Sequence, residues 1–287
     1  MRARWVILAM IWGVTVAASV RPTVVVGQDD PAAAQYRMAL THKNAGRNRE
    51  ALAAAREAVR LRPDMAAGWF TIGALERQEG RLEESLTAFR RVVQLQPDSA
   101  RGHAMVGAVL ARLNRFDEAI PELRRATELD HRDVASWGNL GASLRRAGQS
   151  EAAIAAYRQG LQHNPANPDL LNNLAVALRN AGRVDEAIEM LQSALARDPD
   201  NAMFNLNIAT MYRRQNRWDE AARHFENGLR EAPNNPGAMF DLGYCYEQLN
   251  RVDDAIRTYR RYIEAVRASD PDAASRAQDR LIALEEG

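Results

Sequence analysis

The sequence has little of several residue types on which other protein classes depend. Cys245 is the only cysteine, so neither an intrachain disulfide nor a cysteine-based metal cluster can form. Aromatic and β-branched residues are sparse, which leaves little material for β-strands. Lys43 is the only lysine, and the arginines are interleaved with acidic residues to a net charge of +1. This pattern excludes a basic nucleic-acid footprint and favours helices built from alanine, leucine, arginine and glutamate.

The motifs that commonly mark catalytic sites are also missing. The sequence has no phosphate-cradling glycine loop and no nucleophile elbow. Acidic pairs such as Asp117-Glu118 are explained by their position at helix starts. We expect Cys245 to be a buried, inert thiol, and we expect no catalytic residue, metal site or cofactor. The histidines share no metal-ligand spacing: His42, His103, His131, His163 and His224.

The N-terminus is typical of an export signal. Arg2 and Arg4 precede an apolar run that continues to about Val20, and small residues and a polar segment follow. We predict a secretory signal over residues 1–27, cleaved after Ala18, Ser19 or Gly27, and a short linker over 28–31. An uncleaved membrane anchor is the alternative, although Arg21 and Pro22 interrupt the run short of the roughly 20 residues that a membrane span needs. Export without disulfides indicates a periplasmic or cell-envelope protein.

The rest of the chain repeats with a period of 34 residues. Prolines mark the period at 63, 97, 165, 199 and 233, and His131 occupies the one position of this series that lacks proline. A leucine-like residue followed by a small residue keeps the same step, as in Leu140-Gly141 and Leu174-Ala175. The period predicts seven units: 32–65, 66–99, 100–133, 134–167, 168–201, 202–235 and 236–269.

These columns resemble the signature of the tetratricopeptide repeat family. The fourth unit contains "WGNLGASLRRAGQSEAAIAAYRQGLQHNP", which has the tryptophan, leucine-glycine, alanine, aromatic and proline positions in order. The resemblance implies an all-α fold, a right-handed superhelical solenoid of antiparallel helix pairs in which the first helix of each pair lines the concave surface. His103 stands where Trp69 and Trp137 stand in neighbouring units, so we interpret it as a packing substitute. Residues 270–287 predict one further helix with a charged outer face that caps the solenoid.

Local chemistry explains each unit. We expect Gly182 to end a first helix with a positive φ and Pro199 to stop the second helix that follows. Ala175 and Ala187 allow the paired helices to approach closely. Pro121 departs from the pattern, and we expect it either to kink the second helix of its unit or to shift the start of that helix.

Two polar columns on the first helices predict a binding surface. Asn139, Asn173 and Asn207 fall 34 residues apart, and Asp241 continues their column. The asparagines resemble the asparagine ladder of O-linked N-acetylglucosamine transferase, where such amides hold the substrate backbone. We assign no role to the adjacent Asn172. A second column lies two helical turns further on, and a column of mainly small residues lies between the two. The second column is Asn44, Gln78, Arg112, Arg146, Asn180, Arg214 and Gln248.

We therefore predict a non-enzymatic interaction scaffold that binds a protein or an extended peptide on its concave face, in an envelope or secretion complex. Amides both donate to and accept from a peptide backbone, and arginines pair with carboxylates. A membrane-tethered adaptor and an enzyme or carrier with an unrecognised small-molecule site are the alternatives. The candidate contact residues are Asn139, Asn173, Asn207, Asp241, Arg112, Arg146, Asn180 and Arg214. The asparagine column could also be a background feature of the family.

Overall fold

The computed structural model describes residues 30–286 and contains fifteen helices within that range. The predicted signal segment, its cleavage positions and Gly287 lie outside the described residues. The helices are α1 (Pro31–Asn44), α2 (Asn48–Leu61), α3 (Ala66–Gln78), α4 (Leu82–Leu95), α5 (Ala100–Arg112), α6 (Phe116–Leu129), α7 (Val134–Arg146), α8 (Ser150–His163), α9 (Pro168–Asn180), α10 (Val184–Leu195), α11 (Ala202–Arg214), α12 (Trp218–Glu231), α13 (Pro236–Gln248), α14 (Val252–Val266) and α15 (Pro271–Glu286).

The helices form seven consecutive pairs followed by α15. Each odd-numbered helix from α1 to α13 packs against the next helix in the chain, and each pair packs against the following pair. This arrangement is the all-α solenoid that the sequence predicts. Within residues 30–286, no helix has both the length and the apolar character needed to span a lipid bilayer.

Close contact within each pair depends on a small residue that faces a large one. Tyr157 of α8 is fully buried, and a Cβ added to Gly141 of α7 would lie 2.5 Å from its ring. Phe89 and Tyr259 face Gly73 and Gly243 in the same way. Only glycine fits at such distances, so the leucine-glycine motif sets how closely the two helices approach.

The turn inside each pair requires a positive φ. Gly182 has a φ of 79°, which confirms the predicted helix end. Glycines take this position in four of the seven pairs, and asparagines with φ between 56° and 59° take it in the other three. Asparagine tolerates the left-handed region better than other residues with a Cβ, so the turn is preserved without glycine. The asparagines are Asn114, Asn216 and Asn250.

The acids that begin the second helices have a partner besides the helix dipole. Arg115 immediately precedes α6, and its Nε donates to Glu118 at 2.7 Å. Arg183 and Glu186 repeat the contact at 2.8 Å at the start of α10. The arginine thus holds the acid in the first turn of the second helix, whereas the sequence interpretation explained these acids by the helix dipole and solvation.

The tryptophan column joins several of the first helices to the loop before them by a hydrogen bond. Trp69 and Trp137 donate their indole N–H to the carbonyls of residues 63 and 131, at 2.9 and 2.8 Å. The Nε2 of His103 bonds the Pro97 carbonyl at 2.9 Å, which confirms His103 as a substitute for tryptophan. Leu171 occupies the tryptophan position in the fifth repeat and has no donor for this bond. A cavity of about 560 Å³ opens beside it, lined in part by Met190 and Phe204.

Pro121 does not shift the start of its helix. The α6 helix begins at Phe116, 34 residues after Leu82 at the start of α4, and continues through Pro121 to Leu129. The expectation of a shifted start is therefore wrong, because neighbouring repeats fix this helix more strongly than one missing hydrogen bond disrupts it.

We expect Pro121→Ala to raise the free energy of unfolding by about 1–3 kcal/mol, because alanine restores the amide that proline removes from a helix interior. Urea unfolding measures this gain. Pro236→Ala is the matched control: Pro236 lies in the first turn of α13, where the missing N–H costs little. Equal effects of the two changes would contradict this explanation.

The α15 helix closes the solenoid. It buries Ala273, Ala277 and Leu281 against α14, while most of its remaining residues stay accessible to solvent. Arg280 of α15 binds both carboxylate oxygens of Glu247 on α13, at 2.8 and 2.7 Å. The helix therefore covers the apolar end of the last pair and neutralises a charge on its first helix.

Candidate functional site

The first helices lie on the inside of the curved solenoid. Alternate first helices contact one another, from α5 to α7, α7 to α9, α9 to α11 and α11 to α13, whereas no comparable series of contacts joins the second helices within residues 30–286. Helices that lie closer together occupy the inner side of a curved stack. We call the exposed side of the first helices the inner face.

The predicted contact residues lie on this face and are at least partly accessible to solvent. The second polar column is exposed in all seven repeats, including Arg112, Arg146, Asn180 and Arg214. The column that contains Asn173 is less accessible, and its three asparagines and Asp241 are half-buried. Between the columns, a floor of small residues is also half-buried: Ala74, Ala108, Ala142, Val176 and Thr210.

Asn172 contacts the asparagine column directly. The Nδ2 of Asn207 on α11 donates to the Oδ1 of Asn172 on α9. The two residues are 35 positions apart, so the contact joins neighbouring repeats and is invisible within one helix. Asn172 therefore has a partner that the sequence interpretation missed, and it orients one rung of the column.

The asparagines differ in what they contribute to stability. We expect Asn207→Ala to lower the free energy of unfolding by about 1 kcal/mol, because it removes the bond to Asn172. We expect Asn139→Ala to change it by less than about 0.5 kcal/mol, since Asn139 lies on the same column without such a bond. Urea unfolding of both variants tests this, and a larger loss at Asn139 would contradict the assignment.

Asp241 already has a cationic neighbour on the inner face. Its Oδ2 lies 3.3 Å from Nε of Arg213 on the preceding first helix. Burial raises the pKa of the Asp241 carboxyl, and the charges of Arg213 and Arg214 act in the opposite direction. Asp241 therefore ends the asparagine column with a carboxylate that is partly engaged inside the protein.

The structure adds a third column that the sequence interpretation missed. It lies one residue before the second polar column and begins at Lys43 and Arg77 on α1 and α3. Its 34-residue spacing could have revealed the column in the sequence. The full column is Lys43, Arg77, Ala111, Arg145, Arg179, Arg213 and Glu247.

Three arginines of the inner face influence one another electrostatically. Burial lowers the pKa of the Arg179 guanidinium, and the charges of Arg214 and Arg145 lower it further. Nε of Arg145 and the Tyr157 hydroxyl are both buried, and within residues 30–286 neither makes a well-formed hydrogen bond. Burial raises the pKa of the Tyr157 hydroxyl, although the Arg145 guanidinium lies close enough to act in the opposite direction. The middle repeats thus hold several positive charges close together.

The positive surface extends toward the N-terminal repeats. An open cavity of about 510 Å³ is lined by Lys43, Ala74, Arg77, Gln78 and Arg112. None of these lining residues is acidic. At the other end, Tyr244 occupies the floor position, and its ring lies 5.1 Å from the Arg280 guanidinium carbon, so the floor of small residues ends at the last repeat.

The cysteine and the histidines are other candidate reactive groups, and their surroundings show no arrangement of a reactive site among residues 30–286. The Cys245 thiol is buried, as the sequence predicts, and burial raises its pKa to about 12, with Asp241 contributing. The rings of His131 and His163 lie 5.5 Å apart on the surface. No group of three or more histidine, cysteine or acidic side chains is arranged to hold a metal ion among residues 30–286.

Comparison with known families identifies the repeats. A model described as the cilia and flagella-associated protein 70 C-terminal domain matches residues 32–241, and a tetratricopeptide repeat model matches residues 212–280. The chain belongs to the tetratricopeptide repeat family. Proteins built from these repeats are generally non-enzymatic interaction scaffolds. Comparison with curated proteins gave no significant match.

Solved structures share the fold at low sequence identity. The tetratricopeptide repeat protein YrrB, described as having an unusual peptide-binding site, is 22% identical, with 62% of this chain and 91% of that chain covered and a TM-score of 0.56. PilF of Pseudomonas aeruginosa is 18% identical over 72% of this chain and 92% of its own, with a TM-score of 0.60. MamA of Desulfovibrio magneticus is 19% identical over 59% and 96%, with a TM-score of 0.56.

Proposed function

We propose that this protein is a non-enzymatic adaptor that binds an extended peptide segment of a partner along the inner face. The observation that carries the proposal is the arrangement of a half-buried amide column and an exposed polar column on either side of a floor of small residues. Small floor residues leave room for a backbone, and the amides offer both donors and acceptors to it. The solved YrrB structure is described as having a peptide-binding site, which supports the proposal by analogy of fold.

Selection from a library of random twelve-residue peptides tests the proposal. The bait is the full chain, and each selected peptide is then tested against a blocked variant, Ala142→Trp with Val176→Trp, which fills the floor. The control, Ala155→Trp with Glu189→Trp, adds the same bulk to exposed positions on α8 and α10. Circular dichroism and thermal unfolding verify that both variants fold.

We expect peptides that bind the wild-type protein and the control but not the blocked variant. The proposal fails if no peptide is selected, or if the selected peptides bind the blocked variant as well as the wild type.

We also propose that the protein is exported and acts in assembling an envelope or secretion complex. The charged start, apolar run and small residues of segment 1–27 support this placement. Mass spectrometry of the mature N-terminus from fractionated cells tests it. A soluble envelope form that begins after residue 18, 19 or 27 is the expected result. A chain that begins at residue 1 in the membrane fraction would favour the tethered adaptor, and a cytoplasmic chain would contradict export.

A further inference from the structure

Within residues 30–286, three arginines on neighbouring first helices have no ion-pair partner. Arg145 lies on α7, Arg179 on α9 and Arg214 on α11, and we call these three residues the arginine patch. None of them lies within 4.0 Å of a carboxylate oxygen among residues 30–286, whereas many arginines at the starts of the second helices are paired. Several arginines that begin the second helices are thus neutralised by a nearby acid, whereas those of the patch are not.

We propose that the arginine patch binds acidic side chains of an extended peptide, so that the inner face selects partner segments rich in aspartate and glutamate. This inference rests on the proposed peptide-binding function and adds the chemical class of the peptide. A guanidinium is a planar fork that binds a carboxylate through two hydrogen bonds. Burial and the positive charges of Arg214 and Arg145 already disfavour the charged form of Arg179. A bound carboxylate would therefore relieve this repulsion as well as form new contacts.

The spacing of the patch suits an extended chain. From α7 to α11 the patch spans two helix spacings, about 16–20 Å. An extended peptide covers that distance with about five or six residues, and its alternate side chains point to the same side. Two or three acidic side chains of one peptide can therefore meet the patch while its backbone lies beside the amide column.

The floor argues against a nucleic acid as the ligand. Proteins that bind single strands without sequence preference stack bases on aromatic side chains between their basic residues. In the repeats that carry the patch, the floor consists of Ala142, Val176 and Thr210, none of which offers a stacking platform. The half-buried asparagines beside the floor match the donors and acceptors of a peptide backbone instead.

Fluorescence anisotropy with two labelled twelve-residue peptides tests the inference. One peptide alternates glutamate with serine, and the other carries glutamine in place of every glutamate. Each is titrated with the full-length protein, with an arginine-patch variant in which all three arginines become glutamine, and with a control variant. The control is Arg124, Arg223 and Arg261→Gln, which removes the same charge from exposed positions on α6, α12 and α14.

We expect the glutamate peptide to bind the wild type and the control at least about tenfold more tightly than the glutamine peptide. This difference should disappear in the arginine-patch variant and shrink as salt is added. Equal loss in the patch and control variants would overturn the inference, because net charge alone would then explain binding. Failure of the glutamate peptide to bind, or its displacement by a tighter-binding single-stranded DNA twelve-mer, would also overturn it.

The two proposals fail in different ways. If both peptides bind equally well and the blocked variant Ala142→Trp with Val176→Trp abolishes both, selection by charge is wrong and the peptide-binding face stands. If the blocked variant binds either peptide as well as the wild type does, the peptide does not bind on the inner face and both proposals fail.

Discussion

Tyr157→Ala should lower the free energy of unfolding by about 3–5 kcal/mol, the usual cost of removing a large buried aromatic ring. Tyr157 is fully buried at the centre of the chain and packs against Gly141 at a distance that excludes any other residue there. Alanine would leave a cavity between α7 and α8, and the loss would weaken the interfaces with both neighbouring pairs. Urea unfolding monitored by circular dichroism measures the change.

Tyr157→Phe is the matched control. The Tyr157 hydroxyl is buried near the Arg145 guanidinium but makes no well-formed hydrogen bond within residues 30–286, so phenylalanine removes a poorly satisfied polar atom while it keeps the ring. We expect a change between zero and a gain of about 1 kcal/mol. If phenylalanine were as harmful as alanine, the hydroxyl rather than ring packing would hold this interface, and the packing explanation would be wrong.

Glu76→Leu should raise the free energy of unfolding by about 1–4 kcal/mol, as apolar replacement of a buried ion pair often does. The Glu76 side chain is completely buried, with Oε1 2.6 Å from Arg56 and Oε2 bonded to Arg81. The Arg56 and Arg81 side chains are 60% and 42% exposed, so both can return to water when the carboxylate is removed. At this position the following repeats have a large apolar or aromatic residue: Leu110, Leu144, Leu178, Tyr212 and Tyr246.

Glu76→Gln separates charge from shape. Glutamine keeps the volume but loses the charge-assisted bonds to Arg56 and Arg81, and it remains a buried polar group. We expect the order of stability to be leucine, then wild type, then glutamine, as measured by the midpoint of urea unfolding. A leucine variant less stable than the wild type would show that the ion pair is required at the first interface between pairs.

The 34-residue period and the resemblance to the tetratricopeptide repeat family together were sufficient to predict the fold, because the residues of each repeated column have one structural role. The small residue at 141, the aromatic at 157 and the turn residue at 182 each occupy the place that the 34-residue period gives them. A substitution that keeps the same role could also be recognised in the sequence, as when His103 replaces the tryptophan of neighbouring repeats. The asparagines that replace glycine in three turns were harder to predict, because their role depends on a backbone angle and not on side-chain character.

The candidate site could be predicted only in part, because it depends on contacts between repeats. The exposed column was visible in the sequence, since every member is an amide or an arginine. The bond from Asn207 to Asn172 joins adjacent helices, and the sequence alone gives no distance between them. The arginine patch was missed for another reason: in a chain with a single lysine, frequent arginine had no obvious meaning until the structure showed which arginines lack a carboxylate.

Site-specific photo-crosslinking in living cells tests the central claim most directly. A benzoylphenylalanine at position 176 lies on the floor of the inner face, and one at position 189 lies on the exposed outer side of α10. We expect an adduct with a partner protein at 176 that is lost in the arginine-patch variant, and no such adduct at 189. A partner captured at 189 but not at 176 would place binding on the second helices and contradict the account.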